Sequence, residues 1–238
     1  MTAAFITVTV LIAVYSLWVR RDTWSSRWEV GATFAVAIQT CGLVLLTMWG
    51  WNGPRIVGSL FIIAGVLGNI YHMLMRLTSP EAVLPLMRTH LGMPLSVGCV
   101  VIAIAGRPTK GLTISRAPQN YWWIITDITA VAMFAYLTGY LVRLLLKLRH
   151  DHRSTTTLWL FAASTVFAFP VPALVGFAMI TNVDTGPEIL ICLSISTSSF
   201  SYGLARSWVQ KKKWFAPDMP AIHLSPDDTP EVQQGTND

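Results

Sequence analysis

Apolar residues in this chain gather into seven long runs separated by short polar stretches, at about 3–19, 30–49, 56–75, 86–105, 121–146, 158–181 and 189–208. Crossing ~30 Å of hydrocarbon at about 1.5 Å per residue takes ~20 mostly apolar residues, and each run is close to that length. A spanning β-barrel would instead alternate apolar and polar positions in segments of about 10 residues. Stretches such as 5–15 and 56–68 have no polar alternate face. The pattern predicts an all-α polytopic membrane protein, a bundle of seven transmembrane helices.

Composition points the same way. Of 238 residues 53% are apolar and 12% charged, against about 25% charged in a soluble domain, and the mean hydropathy is +0.52. All ten tryptophans, at 18, 24, 28, 49, 51, 122, 123, 159, 208 and 214, fall at or just beyond the ends of the runs. The headgroup level suits an indole, whose body is apolar and whose N–H reaches water. With the N-terminus outside, 13 of the 17 lysines and arginines fall on the inner side, leaving only Arg55, Arg107, Lys110 and Arg116 outside. The positive-inside bias therefore predicts a multi-pass plasma-membrane protein with its N-terminus outside and its C-terminus cytoplasmic. The first run has no basic residue before it and ends in Arg20-Arg21. That is the reverse of a signal peptide, so it reads as an uncleaved anchor.

The domain division follows: residues 1–213 form the membrane domain, and residues 214–238 hold five acids, no lysine or arginine and repeated prolines. Such a segment buries too little apolar surface to offset its ordering entropy and reads as a disordered acidic cytoplasmic tail. The pI near 9.3 reflects basic residues shared among separate inner loops and carries no nucleic-acid motif. Three cysteines at 41, 99 and 192 lie inside apolar runs and make no disulfide framework.

Polar side chains inside spans are expensive and mark functional candidates. Asp127 is the one acid well inside a run. Lying six residues from Tyr121, it sits roughly 9 Å below the interface, and Arg107 and Arg116 of the adjoining outer loop are its candidate partners. Its alternatives are a solute- or proton-binding carboxylate and a water-reached interfacial residue. Span seven is rich in hydroxyls, and Ser194, Ser198 and Ser201 share a face with Tyr202 at its edge. Span six carries Pro170 and Pro172, which break backbone hydrogen bonding near mid-membrane and make a candidate hinge. Gln39 and Asn69 are placed to join the same polar interior. His72 and His90, near the inner ends of spans three and four, are weak metal candidates. They lack a third ligand at helical spacing, and interfacial hydrogen bonding is the blander alternative. Gly58, Gly65 and Gly68 on span three suit close helix packing, within the bundle or in a dimer.

No lysine for a Schiff base lies in mid-span seven, and no metalloprotease, nucleophile or phosphate-loop motif is present. Catalysis is not predicted, nor is a cofactor. The N-out first span ending in Arg20-Arg21, the basic loop before span two, Arg76 in a short inner loop and the Tyr140-Leu-Val-Arg143 end of span five resemble small seven-helix membrane proteins of actinobacteria. That resemblance implies a transporter or a regulatory membrane component and transfers no site residue. The expectation is an integral membrane protein that binds or moves a small solute. Asp127 would be its charged site group, and Ser194, Ser198, Ser201, Tyr202, Gln39 and Asn69 its hydrogen-bonding lining. The alternative is a sensor or partner-recruiting component acting through its cytoplasmic loops and tail. The bilayer is the certain partner, and a homodimer or a cytoplasmic protein stays open.

Overall fold

Each apolar run folds as helix because lipid offers no hydrogen bonds, so every backbone donor must be satisfied within its own segment. In a computed structural model the described residues are 1–25, 29–47, 52–109, 120–149, 155–181 and 183–214, and none of them is in a strand. The helices are α1 (Thr2–Val19), α2 (Val30–Thr47), α3 (Asn52–Leu77), α4 (Pro80–Met87), α5 (Met93–Gly106), α6 (Tyr121–Leu148), α7 (Thr155–Ala168), α8 (Val171–Thr181) and α9 (Gly186–Trp214). Consecutive α4–α5 and α7–α8 make one span each, so seven spans are long and apolar enough to cross a membrane. The tail from residue 215 onward lies outside the described residues.

Two spans are interrupted, each at prolines. Between α4 and α5 a π-helical turn covers Arg88–Gly92. Pro94 lacks the N–H that would bond the His90 carbonyl, and Tyr136 of α6 donates its hydroxyl to that carbonyl at 2.7 Å instead. This span starts six residues earlier than the sequence pattern suggested, because Pro80 fits the first turn of a helix. In span six the helix breaks at Phe169–Pro170, where Pro170 and Pro172 remove two backbone donors within one turn.

Close packing of small residues joins α2 to α3. A Cβ added at Gly65 would overlap the Gln39 Cβ, and one at Gly68 would overlap the Ala35 Cβ. The glycine stripe is therefore internal to the bundle. Helix α9 is central: the Ser198 hydroxyl donates to Thr9 of α1 at 2.9 Å, and Ser196 pairs with Ser164 of α7 at 3.2 Å. The perimeter is apolar, with Leu11, Val97, Ile104, Val166 and Ile180 all exposed, as a lipid-facing surface requires. Trp18 and Trp159 sit on that perimeter.

Candidate functional site

At one end of the bundle Asn120 caps α6 by accepting from the Trp122 N–H at 3.0 Å, which fixes where the helix begins and sets Asp127 nearly two turns inside. The Asp127 carboxylate accepts from Arg55 Nη2 at 2.5 Å and from Trp123 Nε1 at 3.1 Å. The guanidinium also lies 4.7 Å from the Trp123 ring centre. Sequence reasoning looked to Arg107 and Arg116, whereas the partner shown is Arg55. Arg107 is exposed at the end of α5, and Arg116 lies outside the described residues. Arg55 wins because α3 packs beside α6 and brings its first turn level with Asp127. Both side chains are mostly buried, at 12% and 15% exposure. The site thus presents a neutralised pair, a strong dipole without net charge.

Beside this pair is a cavity of about 80 Å³. An engineered apolar cavity of ~150 Å³ takes benzene, so this one admits a molecule of a few heavy atoms. Arg55, Ser59 and Asp127 supply its polar wall, and Phe134, Val171 and Pro172 are among its apolar neighbours. The wall next to the break in span six is therefore part of the cavity. Its lining comes from spans two, three, five, six and seven, and Ile62, two turns along α3 from Arg55, and Leu193 lie on its side toward the bundle centre.

Just beyond Ile62 and Leu193 the interior becomes polar. Gln39 packs against Gly65, and two turns along α3 from Gly65 lies His72. The His72 ring meets Phe161 edge-on at 5.5 Å, and Phe161 in turn packs on Phe200 and Gly203 of α9. His72 is therefore level with Ser201, and Gln39 with Ser194, two turns back along α9. Asn69 and Thr197 occupy the level between. The Thr9–Ser198 bond and the bond from Arg20 to the Leu204 carbonyl set the register of α1, which puts Ser16 beside Ser201.

Gln39 Oε1, Asn69 Oδ1, His72 Nε2 and the hydroxyls of Ser16, Ser194, Thr197 and Ser201 are buried without a hydrogen-bond partner. The hydroxyls need not be so. Elsewhere Thr40, Thr126, Thr129, Thr138 and Thr165 each bond the carbonyl four residues back at 2.7–3.0 Å. Left dry, seven such groups would cost ~1–3 kcal/mol each, as much as the ~5–15 kcal/mol that stabilises a whole domain. With the hydroxyls turned to those carbonyls, the two amide oxygens and the imidazole nitrogen still have no protein partner, and a water or a ligand group would supply one. Of these groups the sequence pattern singled out Gln39, Asn69, Ser194 and Ser201 and not Thr197, although its spacing of three and four from those serines was the available signal. Ser198 is spent on Thr9, and Tyr202 faces the perimeter, 42% exposed and stacked on Tyr15. These two residues bind α1 to α9 and do not line the interior. His90 is exposed in the π-helical turn between α4 and α5 with its ring near Tyr140, whereas His72 is buried against Phe161. The two histidines have different surroundings, and no metal-holding group of three ligands occurs among the described residues.

The opposite end is a charged clamp. Arg20, 1% exposed, donates to Thr33 at 3.0 Å, to the Leu204 carbonyl at 3.2 Å and to Glu29 at 3.0 Å. Glu29 also accepts from Lys211 at 2.7 Å, and Lys212 pairs with Asp22. The Trp208 ring lies 5.6 Å from the Arg20 guanidinium. Burial pulls the Arg20 pKa below its ordinary value, with Glu29 opposing. For Glu29, burial favours the neutral acid, but the cations of Lys211 and Arg20, both hydrogen-bonded to it, outweigh burial and hold the carboxyl at about 2, against 4.5. Arg20 and Trp208 looked in sequence like flanking topology signals, and nothing local in the sequence distinguished them from the other flanking residues.

Comparison with protein-family models, curated proteins and solved structures finds no match to this chain. The functional reading therefore rests on the geometry alone.

Proposed function

We propose that this protein binds a small solute in the cavity beside Arg55 and Asp127 and moves it across the plasma membrane. The N-terminus is outside, as the placement of lysine and arginine favours, so the Asp127 end faces out and the Arg20 end faces the cytoplasm. One observation carries the reading: a buried ion pair forms the polar wall of a cavity whose inner side carries apolar Ile62 and Leu193, just short of a polar interior. A cavity separated from a second set of buried polar groups by a thin apolar layer is the geometry an alternating gate needs. The break at Pro170 and Pro172, which borders the cavity, supplies a place to bend.

The test is uptake by proteoliposomes of a panel of labelled small solutes, neutral, zwitterionic and charged. Wild-type protein carries at least one of them, and Asp127→Asn, inserted at the same level, loses that uptake. Uptake of none, or equal uptake by Asp127→Asn, defeats the proposal. The ties from Lys211 and Lys212 to Glu29 and Asp22 favour a second reading, a sensor that signals through the root of its tail. Deleting residues 216–238 separates the two, since a transporter keeps its uptake and a tail-dependent recruiter loses its partner.

A further inference from the structure

Between the Arg55–Asp127 pair and the Arg20–Glu29 clamp lies a polar interior made entirely of neutral side chains. Its principal members are Gln39, Asn69 and His72 on α2 and α3, facing the levels of Ser194, Thr197 and Ser201 on α9. Each presents a buried polar atom that no protein group satisfies, and every one of these residues is at least nine-tenths buried. The hydroxyls donate and accept, the two amide oxygens accept, and the imidazole nitrogen takes part as the neutral ring allows. We infer that this column is the inner half of the solute path and that it selects uncharged, hydrogen-bonding solutes, of the small polyol or urea class.

The argument is one of matched chemistry. A solute rich in hydroxyl or amide groups exchanges its hydrogen bonds to water for those of the column at each of three levels, about one helical turn apart. An ion finds no opposite charge there, and dehydrating it in low dielectric is far more costly than dehydrating a hydroxyl. The inner mouth adds a second filter. Arg20, Arg76, Lys211 and Lys212 stand around it, with Glu29 and Asp22 as counter-charges, so cations are repelled from that side. At the other end the Arg55–Asp127 pair is already neutralised and offers a dipole, which suits the same class of solute. The inference rests on the transport reading above and names its cargo class.

Uptake of labelled glycerol and urea, with sodium, acetate and glycine as charged comparators, tests it in proteoliposomes of the full chain. Glycerol or urea should enter faster than into protein-free vesicles, and the comparators should not. Thr197→Val keeps shape and removes one hydrogen-bonding partner at the middle level. The loss of a single such bond corresponds to roughly a tenfold fall in uptake, with melting temperature unchanged or raised because an unsatisfied hydroxyl is gone. Thr197→Ser should restore uptake, and Ser194→Ala gives an independent variant should Thr197→Val insert poorly. Three results overturn the inference. If Asp127→Asn abolishes uptake while Thr197→Val and Ser194→Ala leave it intact, the cavity reading stands and the column falls. If only charged or zwitterionic solutes enter, transport stands and the cargo class falls. If none of the five enters, column and transport readings both fail.

Discussion

Removing the charge of Asp127 without changing its shape probes the outer pair most directly. In Asp127→Asn the side chain still accepts from Trp123 Nε1, but Arg55 keeps its charge at 12% exposure with its partner gone. Breaking a fully buried pair costs ~3–5 kcal/mol because the survivor stays uncompensated. Here the adjoining cavity of about 80 Å³ gives the guanidinium some access to water, and the Trp123 face still attracts it, so ~1–3 kcal/mol is the expected loss. At ~2–4 °C per kcal/mol for a chain of this size, purified protein should melt about 3–10 °C lower. Arg55→Gln should lose a similar amount. Combined with Asp127→Asn it should lose much less than the sum, giving a coupling of ~1–3 kcal/mol in a double-mutant cycle. Melting in detergent, followed by tryptophan fluorescence, reads all four proteins. Two single variants that melt as wild type does, or losses that simply add, would refute the pair as a coupled unit and with it the claim that the cavity wall is a neutralised dipole.

Gly68→Ala should cost ~1–3 kcal/mol, since the added methyl meets the Ala35 Cβ across a close helix pair. Gly139→Ala, which meets open space, should be neutral or stabilising by up to ~1 kcal/mol, and equal melting of the two variants would contradict the packing. The Glu29 carboxyl sits at about 2 instead of 4.5, so its stabilisation is complete above pH ~4.5 and disappears as pH falls through about 2. Wild type should therefore exceed Glu29→Gln by up to ~3 kcal/mol near neutrality, with the gap closing over that acid window in pH-dependent melting. Replacing Pro170 and Pro172 together by Ala should restore helical bonding in span six, raise the melting temperature and slow uptake. Unchanged uptake would make the break a packing feature only. Cysteine at Asp184 should react with an impermeant reagent on intact cells and cysteine at Arg149 should not. The buried Thr185, which donates to the Leu174 carbonyl, is a poor position for that test.

The helices were legible because the bilayer leaves the chain few options, and twenty apolar residues in a row announce themselves. Pro170 and Pro172 announced the break in span six for the same local reason. Pairing across the bundle was not legible. Asp127 finds Arg55, 72 residues away in sequence, because α3 neighbours α6, and a sequence read along its loops looks first to Arg107 and Arg116. Helical spacing correctly gathered Ser194 and Ser201, yet it could not say that Ser198 would be spent on Thr9 or that Tyr202 would turn outward to Tyr15. Nor did the tryptophan belt reveal that Trp123 and Trp208 leave the headgroup role to face Asp127 and Arg20. Local constraints write themselves into a sequence, whereas contacts set by which helix lies beside which do not.

That division bears on how the molecule moves. Arg20 joins three helices at once through Thr33 and Glu29 on the α2 side and the Leu204 carbonyl on α9, and Lys211 and Lys212 repeat the tie. Opening that end means separating the buried Arg20–Glu29 pair together with the half-exposed ties of Lys211 and Lys212, so it behaves as a clamp. The far end has the opposite character. Among the residues of α8 only Val171 is buried, and α8 begins directly after a break in the hydrogen-bond ladder. It carries Val171, Pro172 and Val175 of the cavity wall. A swing of α8 about Phe169–Pro170 therefore enlarges the cavity while disturbing little of the core. On the transport reading proposed above, motion follows the least buried element, so the gate belongs on the Asp127 side and the fixed frame on the Arg20 side. The apolar layer of Ile62 and Leu193 between them is held by the α2–α3 glycine contact and by α9. On that reading parting this layer is the slower step, because it requires the tightly packed helices to shift.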